Sequence, residues 1–120
     1  MAVITVTGVI PGEQLGVTLP HEHLFVDSRW ACPSFQEITQ AALSESKVDI
    51  ANIGVLRRNP YLVKDNSLMD DPQLAAAEAL EFKKAGGRTI VDLSSVGTGR
   101  SPVALRGISN LTGLNIVMGC

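Results

Sequence analysis

The sequence predicts an α/β fold built on a parallel sheet, and three observations carry that expectation. Two helix-start signals recur, Asp71-Pro72 and Ser101-Pro102, each a capping residue followed by proline at the first helical position. Both of the segments they open stop at glycine, Gly86-Gly87 in one case and Gly113 in the other. Each is then followed by a short apolar run, residues 89–95 and 114–118. Helices alternating with short apolar strands build parallel sheets through crossover connections.

In chain order, residues 3–9 (Val-Ile-Thr-Val-Thr-Gly-Val) are rich in β-branched side chains and predict a first strand. Pro11-Gly12 marks a turn, and residues 15–19 predict a return strand that ends just before His21-Glu22-His23. Residues 28–70 are the least regular stretch. A weak helix is expected over 35–43 and a second over 48–58, with Asp49 near its start and Pro60 beyond its end. A connection this long after one strand is expected to serve a site or a lid. In the helix opened by Asp71, Ala75, Ala79 and Phe82 form an apolar stripe, with Gln73, Glu78, Glu81 and Lys84 largely off it. In the helix opened by Ser101 the predicted stripe is Leu105, Ile108 and Leu111. Gly107 inside it costs about 1 kcal/mol relative to alanine.

Composition narrows the function classes. The 120 residues fit one domain, and 10 Lys plus Arg against 12 Asp plus Glu leave a net charge of -2. That balance removes the electrostatic case for binding nucleic acid or an anionic membrane. Hydrophobic residues at 45% argue against disorder, while charged residues at 18% fall short of the roughly 25% typical of soluble domains. The shortfall predicts either an oligomer or part of a larger body. No run approaches the roughly 20 apolar residues of a membrane span. The N-terminus has no basic region, and its apolar run breaks at Gly8 and Pro11, so a signal peptide is not expected and the expected location is the cytoplasm. Cys32 and Cys120 are too few and too far apart for a disulfide framework.

One constellation carries chemistry. His21 and His23 are the only histidines, and they stand two apart at the end of a predicted strand. On an extended strand such residues share a face, about 6–7 Å apart along the chain. Two imidazoles so placed can converge on one metal ion, with Glu22 on the opposite face. The same spacing also occurs in cupin-type metal sites and in exposed loops. Ligand sites of parallel α/β sheets collect at the C-terminal ends of the strands, which is where this pair sits.

The run from Gly16 to Asp27, Gly-Val-Thr-Leu-Pro-His-Glu-His-Leu-Phe-Val-Asp, resembles the first barrel strand of the phosphotriesterase family, within the amidohydrolase superfamily. The resemblance continues in Arg57-Arg58-Asn59-Pro60-Tyr61, Lys64-Asp65-Asn66, Ala85 to Asp92, Gly97-Thr98-Gly99-Arg100 and Leu111 to Gly119. It thus covers essentially the whole chain, and its look is closest to the phosphotriesterase-related and lactonase-like branches. It implies a (β/α)8 TIM barrel holding two divalent metal ions, most often zinc, whose bound hydroxide attacks a phosphotriester, lactone or related ester. His21 and His23 match two of the metal ligands. The family's other ligands lie on its fourth, fifth, sixth and eighth strands, and homodimers are common in it. A full barrel needs roughly 250 residues. Residues 1–120 are therefore expected to be the N-terminal portion of a single hydrolase domain, comprising the leading hairpin and strands one to three. Their expected function is zinc-dependent hydrolysis of a small-molecule ester, lactone or organophosphate, with no catalytic residue assigned and little activity expected of the chain alone. The alternative is a non-catalytic metal-binding fragment.

Other residues invite weaker readings. Trp30 is a candidate for lining a substrate pocket, against the ordinary role of anchoring its loop. Asp92 is a tempting further metal ligand that no family motif supports, and Asp27 is expected to orient a histidine or cap the loop. Arg57 and Arg58 are read as the charged end of a helix. The Gly97–Arg100 loop lacks the spacing of a phosphate-binding fingerprint.

Overall fold

Three strands, Thr18–Glu22, Thr89–Asp92 and Asn115–Met118, pair in parallel with the second at the centre. The computed structural model describes residues 1–119; Cys120 lies outside them. In chain order the elements are β1 (Ala2–Thr5), β2 (Gly8–Pro11), β3 (Thr18–Glu22), β4 (Val26–Asp27), α1 (Ile38–Ser44), α2 (Ile53–Leu56), β5 (Leu68–Met69), α3 (Pro72–Lys84), β6 (Thr89–Asp92), α4 (Pro102–Thr112) and β7 (Asn115–Met118). Short 3-10 turns connect several of them. The chain divides into two units, one made of Met1–Phe25 with Asp71–Cys120, the other of Val26–Asp70.

In the first unit, Phe25, Ala76, Ala79, Ile90, Leu105, Ile108, Leu114 and Ile116 form one buried cluster. The two helix starts form as expected. Asp71 accepts the backbone N–H groups of Gln73 and Leu74 at 2.8 and 3.1 Å, and Ser101 accepts that of Ala104 at 3.4 Å. Gly113 closes α4 in the left-handed region, with φ +67°. Two strand details depart from expectation. The run at 3–9 is not one strand but a hairpin: it turns at Val6-Thr7, and β1 pairs antiparallel with β2. The Thr5 hydroxyl donates to the Gly8 carbonyl at 2.8 Å and accepts from the Thr7 N–H, while Val6 N–H donates to Ile116 O of β7. The return strand at 15–19 is correspondingly displaced to β3, which pairs with β6 rather than with the first strand. Gly16 (φ +58°) makes that entry possible, since a Cβ there would lie 2.6 Å from Arg88 Cγ.

The expected stripe on α4 also needs correction. Leu105 and Ile108 are buried, but Leu111 is 70% exposed, and Ser109 and Thr112 are buried instead. At about 100° per residue, Leu111 lies roughly 120° from Leu105, whereas 105, 108, 109 and 112 make a continuous face. Ser109 and Thr112 fit inside because their hydroxyls donate to Leu114 O and Ile108 O, each at 2.7 Å. Leu111 borders an open apolar groove between α3 and α4, together with Ala76, Leu80, Val103 and Gly107.

The second unit is built differently. The helix expected over 48–58 shrinks to α2, because side chains compete for its first turn. Asp49 accepts from Ala51 N–H at 2.6 Å, and the buried Asn52 accepts from Asp49 N–H while donating to Lys47 O. Arg57 and Arg58 follow α2 and are exposed, as expected. The helix expected at 35–43 forms as α1, displaced toward the C-terminus. Among the described residues no helix is long and apolar enough to cross a membrane.

Candidate functional site

The site candidate lies at the C-terminal end of β3, an edge strand of the parallel sheet. The β3–β6 register runs Thr18 to Thr89 and Leu19 to Ile90, then shifts, so that Glu22 faces Asp92. Between these points β3 spends three residue steps where β6 spends two, which places one extra residue around Pro20-His21. Proline suits such an irregularity, having no N–H to contribute to a ladder. Simple alternation along the strand therefore does not hold at the pair. The two rings nevertheless come together, with centroids 5.7 Å apart and planes inclined at 72°. Both histidines are exposed, and Glu22 is half-buried.

Support for His23 comes from the end of β6 and the residues just past it. His23 Nδ1 lies 3.0 Å from Ser94 Oγ, and that hydroxyl donates to the Phe25 carbonyl at 2.8 Å. Asp92 is fully buried, and its carboxylate is already committed. Oδ2 accepts the Leu24 N–H and Oδ1 the Ser94 N–H, each at 2.8 Å. Glu22 O accepts the Leu93 N–H at 2.9 Å, which joins the two strand ends once more. Asp92 thus holds the segments that carry His23 and Ser94. Sequence reasoning did not find Ser94; the only trace of it was a small polar residue two positions past a strand-end aspartate.

The remaining candidates have surroundings of their own. Asp27, in the second unit, pairs with Arg29 through both carboxylate oxygens, at 2.9 and 2.7 Å, and accepts the Arg29 N–H. These bonds lower its pKa to about 2. Trp30 sits on the 3-10 turn Arg29–Ala31 and is 74% exposed, so its ring does not anchor the loop by burial. Arg100 donates to Gly119 O at 2.7 Å, a structural tie, and the loop before it is closed by reciprocal bonds between Ser95 and Thr98. Cys32 is a free thiol.

A profile of the phosphotriesterase family matches residues 1–120. This chain belongs to the phosphotriesterase family. It is 40% identical over 119 residues to a phosphotriesterase-related protein of Nematostella vectensis, covering 96% of this chain and 34% of that one. An N-acetyltaurine hydrolase of Tetraodon nigroviridis is 36% identical over 116 residues, with 96% and 33% covered. Among solved structures, a resiniferatoxin-binding protein from Rhodobacter sphaeroides superposes with a TM-score of 0.89 at 44% identity, covering 98% of this chain and 33% of that one. A lactonase from Listeria monocytogenes superposes with a TM-score of 0.64 at 28% identity, covering 98% and 27%. The chain spans about a third of the length of the relatives it matches.

The metal implied for this family can be weighed against the donors present. Two neighbouring imidazoles on one strand end, one of them oriented by a hydroxyl, suit a divalent ion of the zinc type. Among the described residues no group of three or more His, Cys, Asp and Glu side chains converges. His21 and His23 therefore fit as part of a ligand set rather than as a whole one.

Proposed function

We propose that residues 1–120 form the N-terminal portion of a (β/α)8 hydrolase domain in which His21 and His23 hold a divalent metal ion, zinc by preference. One observation carries this reading: both imidazoles are presented together at the C-terminal end of β3, with His23 held from below by Ser94. The parallel order β3-β6-β7 supports it, being the order expected of three consecutive barrel strands. The reaction class is hydrolysis of a small-molecule ester-type bond, in a phosphotriester or a lactone. The chain's similarity to a lactonase and to hydrolases of N-acetyltaurine supports a hydrolytic role. A bound metal supplies water activation and polarisation of the scissile carbonyl or phosphoryl group. Ser94 orients the His23 imidazole, and Asp92 holds in place the segments that carry His23 and Ser94.

A second reading is favoured by the donor count. A catalytic zinc takes about three protein ligands, and this chain contributes two imidazoles to the site. On that reading the 120 residues bind metal without turning over substrate. A homodimer, which the family resemblance implies, would place a second pair of histidines at the assembly's disposal.

Elemental analysis of the purified chain after dialysis tests the metal reading, with a His21→Ala/His23→Ala variant beside it. The expected result is zinc retained by the wild type and lost in the variant. Zinc retained equally by both would overturn the assignment of the pair. Assay on esters and lactones then separates the hydrolase from the silent binder.

A further inference from the structure

We infer that Ser94 is a positioning residue that sets the tautomer of His23, with Asp92 pinning the backbone on both sides of that contact. The inference deepens the metal reading of the His pair and rests on it for its functional meaning. One proton decides the arrangement. Ser94 has a single hydroxyl hydrogen, and its partner at 2.8 Å is the Phe25 carbonyl oxygen, which can only accept. With that proton committed, the Ser94 oxygen meets His23 Nδ1 at 3.0 Å as an acceptor. Nδ1 must then carry the hydrogen, and in the neutral ring the lone pair falls on Nε2. Ser94 is 1% exposed, so bulk water does not compete for the contact from the serine side.

The contact is over-determined by its frame. Asp92 takes the N–H of Ser94 itself and the N–H of Leu24, the residue after His23. A single buried carboxylate therefore fixes both chain segments that bring the imidazole and the hydroxyl together. A histidine that ligates through one nitrogen commonly donates the N–H of the other to an oxygen that orients the ring. Ser94 occupies that role here, and His23 is left with Nε2 free to face a cation.

The test reads the tautomer directly in the metal-free 120-residue chain. Long-range proton–nitrogen correlation spectra of 15N-labelled histidine are recorded at about pH 8, above the ordinary histidine pKa. A His21→Ala variant assigns the two rings. His23 is expected to show protonated Nδ1; a wild-type His23 that is chiefly the Nε2–H form overturns the inference. In Ser94→Ala, His23 is expected to move toward the Nε2–H form, with His21 unchanged. Retention of the wild-type tautomer in a folded Ser94→Ala chain would also overturn it. Ser94→Thr, which keeps a hydroxyl, is expected to keep the Nδ1–H form. If the alanine variant fails to fold, the wild-type and threonine spectra still decide. Zinc affinity, measured separately by competition with a chelator, is expected to fall about 10–100-fold in Ser94→Ala. A wild type with the Nδ1–H tautomer but no zinc affinity would sink the metal reading and leave the tautomer assignment standing.

Discussion

The two units of this chain use the same kinds of residue to different ends, and aspartate shows it best. Asp92 in the first unit and Asp65 in the second each accept backbone N–H bonds from a distant segment. Asp92 is wholly buried, and its two bonds join strand ends within a unit whose centre is an apolar cluster of eight residues. Asp65 is partly exposed and shares its carboxylate with Lys47. Around it, Lys64 pairs with Glu45 and Arg29 with Asp27, while Ile38, Ile50 and Trp30 remain exposed. The first unit is held by that eight-residue cluster; the second buries fewer apolar side chains, Leu56 and Val63, and adds surface pairs and side-chain-to-backbone bonds around short turns. Screened surface pairs contribute little, so the histidines stand on the better supported of the two frames.

That contrast can be broken most forcefully at its two aspartates. Asp92→Ala strands two N–H groups, at about 1–3 kcal/mol each, and is expected to cost the first unit about 2–6 kcal/mol in urea unfolding. Asp65→Ala removes a similar set of bonds near solvent and is expected to cost much less by the same measurement. Comparable losses from the two would refute the distinction drawn here. The next largest effect is expected in the core. Ile116→Ala empties a fully buried site in the central cluster, for an expected loss of about 2–5 kcal/mol by the same measurement.

Two smaller changes sharpen the picture of the helices. Asp71→Ala removes the cap of α3 and is expected to cost about 1 kcal/mol. Gly107→Ala should act the other way. A Cβ at Gly107 meets nothing within 4 Å, so the substitution is expected to stabilise α4 by up to about 1 kcal/mol, read as a rise in thermal midpoint.

The smallest effect concerns the exposed pair Asp27–Arg29. Arg29 holds the Asp27 pKa down at about 2, against an ordinary 3.8. Because the folded-state value is the lower one, the pair's contribution is fully present above the ordinary carboxylate pKa and is lost as pH falls through about 2. Arg29→Ala is expected to return the Asp27 midpoint toward 3.8 in an NMR titration, with little change in stability at neutral pH. Asp65 shifts in the same direction, through its bonds from Lys47 and the Val48 N–H.

Much of the first unit was legible because its signals are local. A cap followed by proline, a glycine stop and a run of β-branched residues each act within a few positions, so α3, β6, α4 and β7 are found close to where the sequence puts them. The His pair was legible for the same reason: two adjacent imidazoles at a strand end are a local pattern. The 26–70 segment was harder to read, because Asp49 and Asn52 redirect the backbone through bonds that helical periodicity does not register.

By itself the sequence determined the alternation of helices and strands and the family, and it singled out the two histidines as the candidates for its chemistry. Only the tertiary structure decided where the first run folds into a hairpin, since the Val6 N–H finds its acceptor on β7, more than a hundred residues away. It alone decided that Leu111 faces out while Ser109 and Thr112 face in, because hydroxyls can be buried wherever a carbonyl is within reach. The role of Ser94 belongs to the same class. Seventy-one positions separate it from His23, and only the parallel pairing of β3 with β6 brings that hydroxyl to the imidazole.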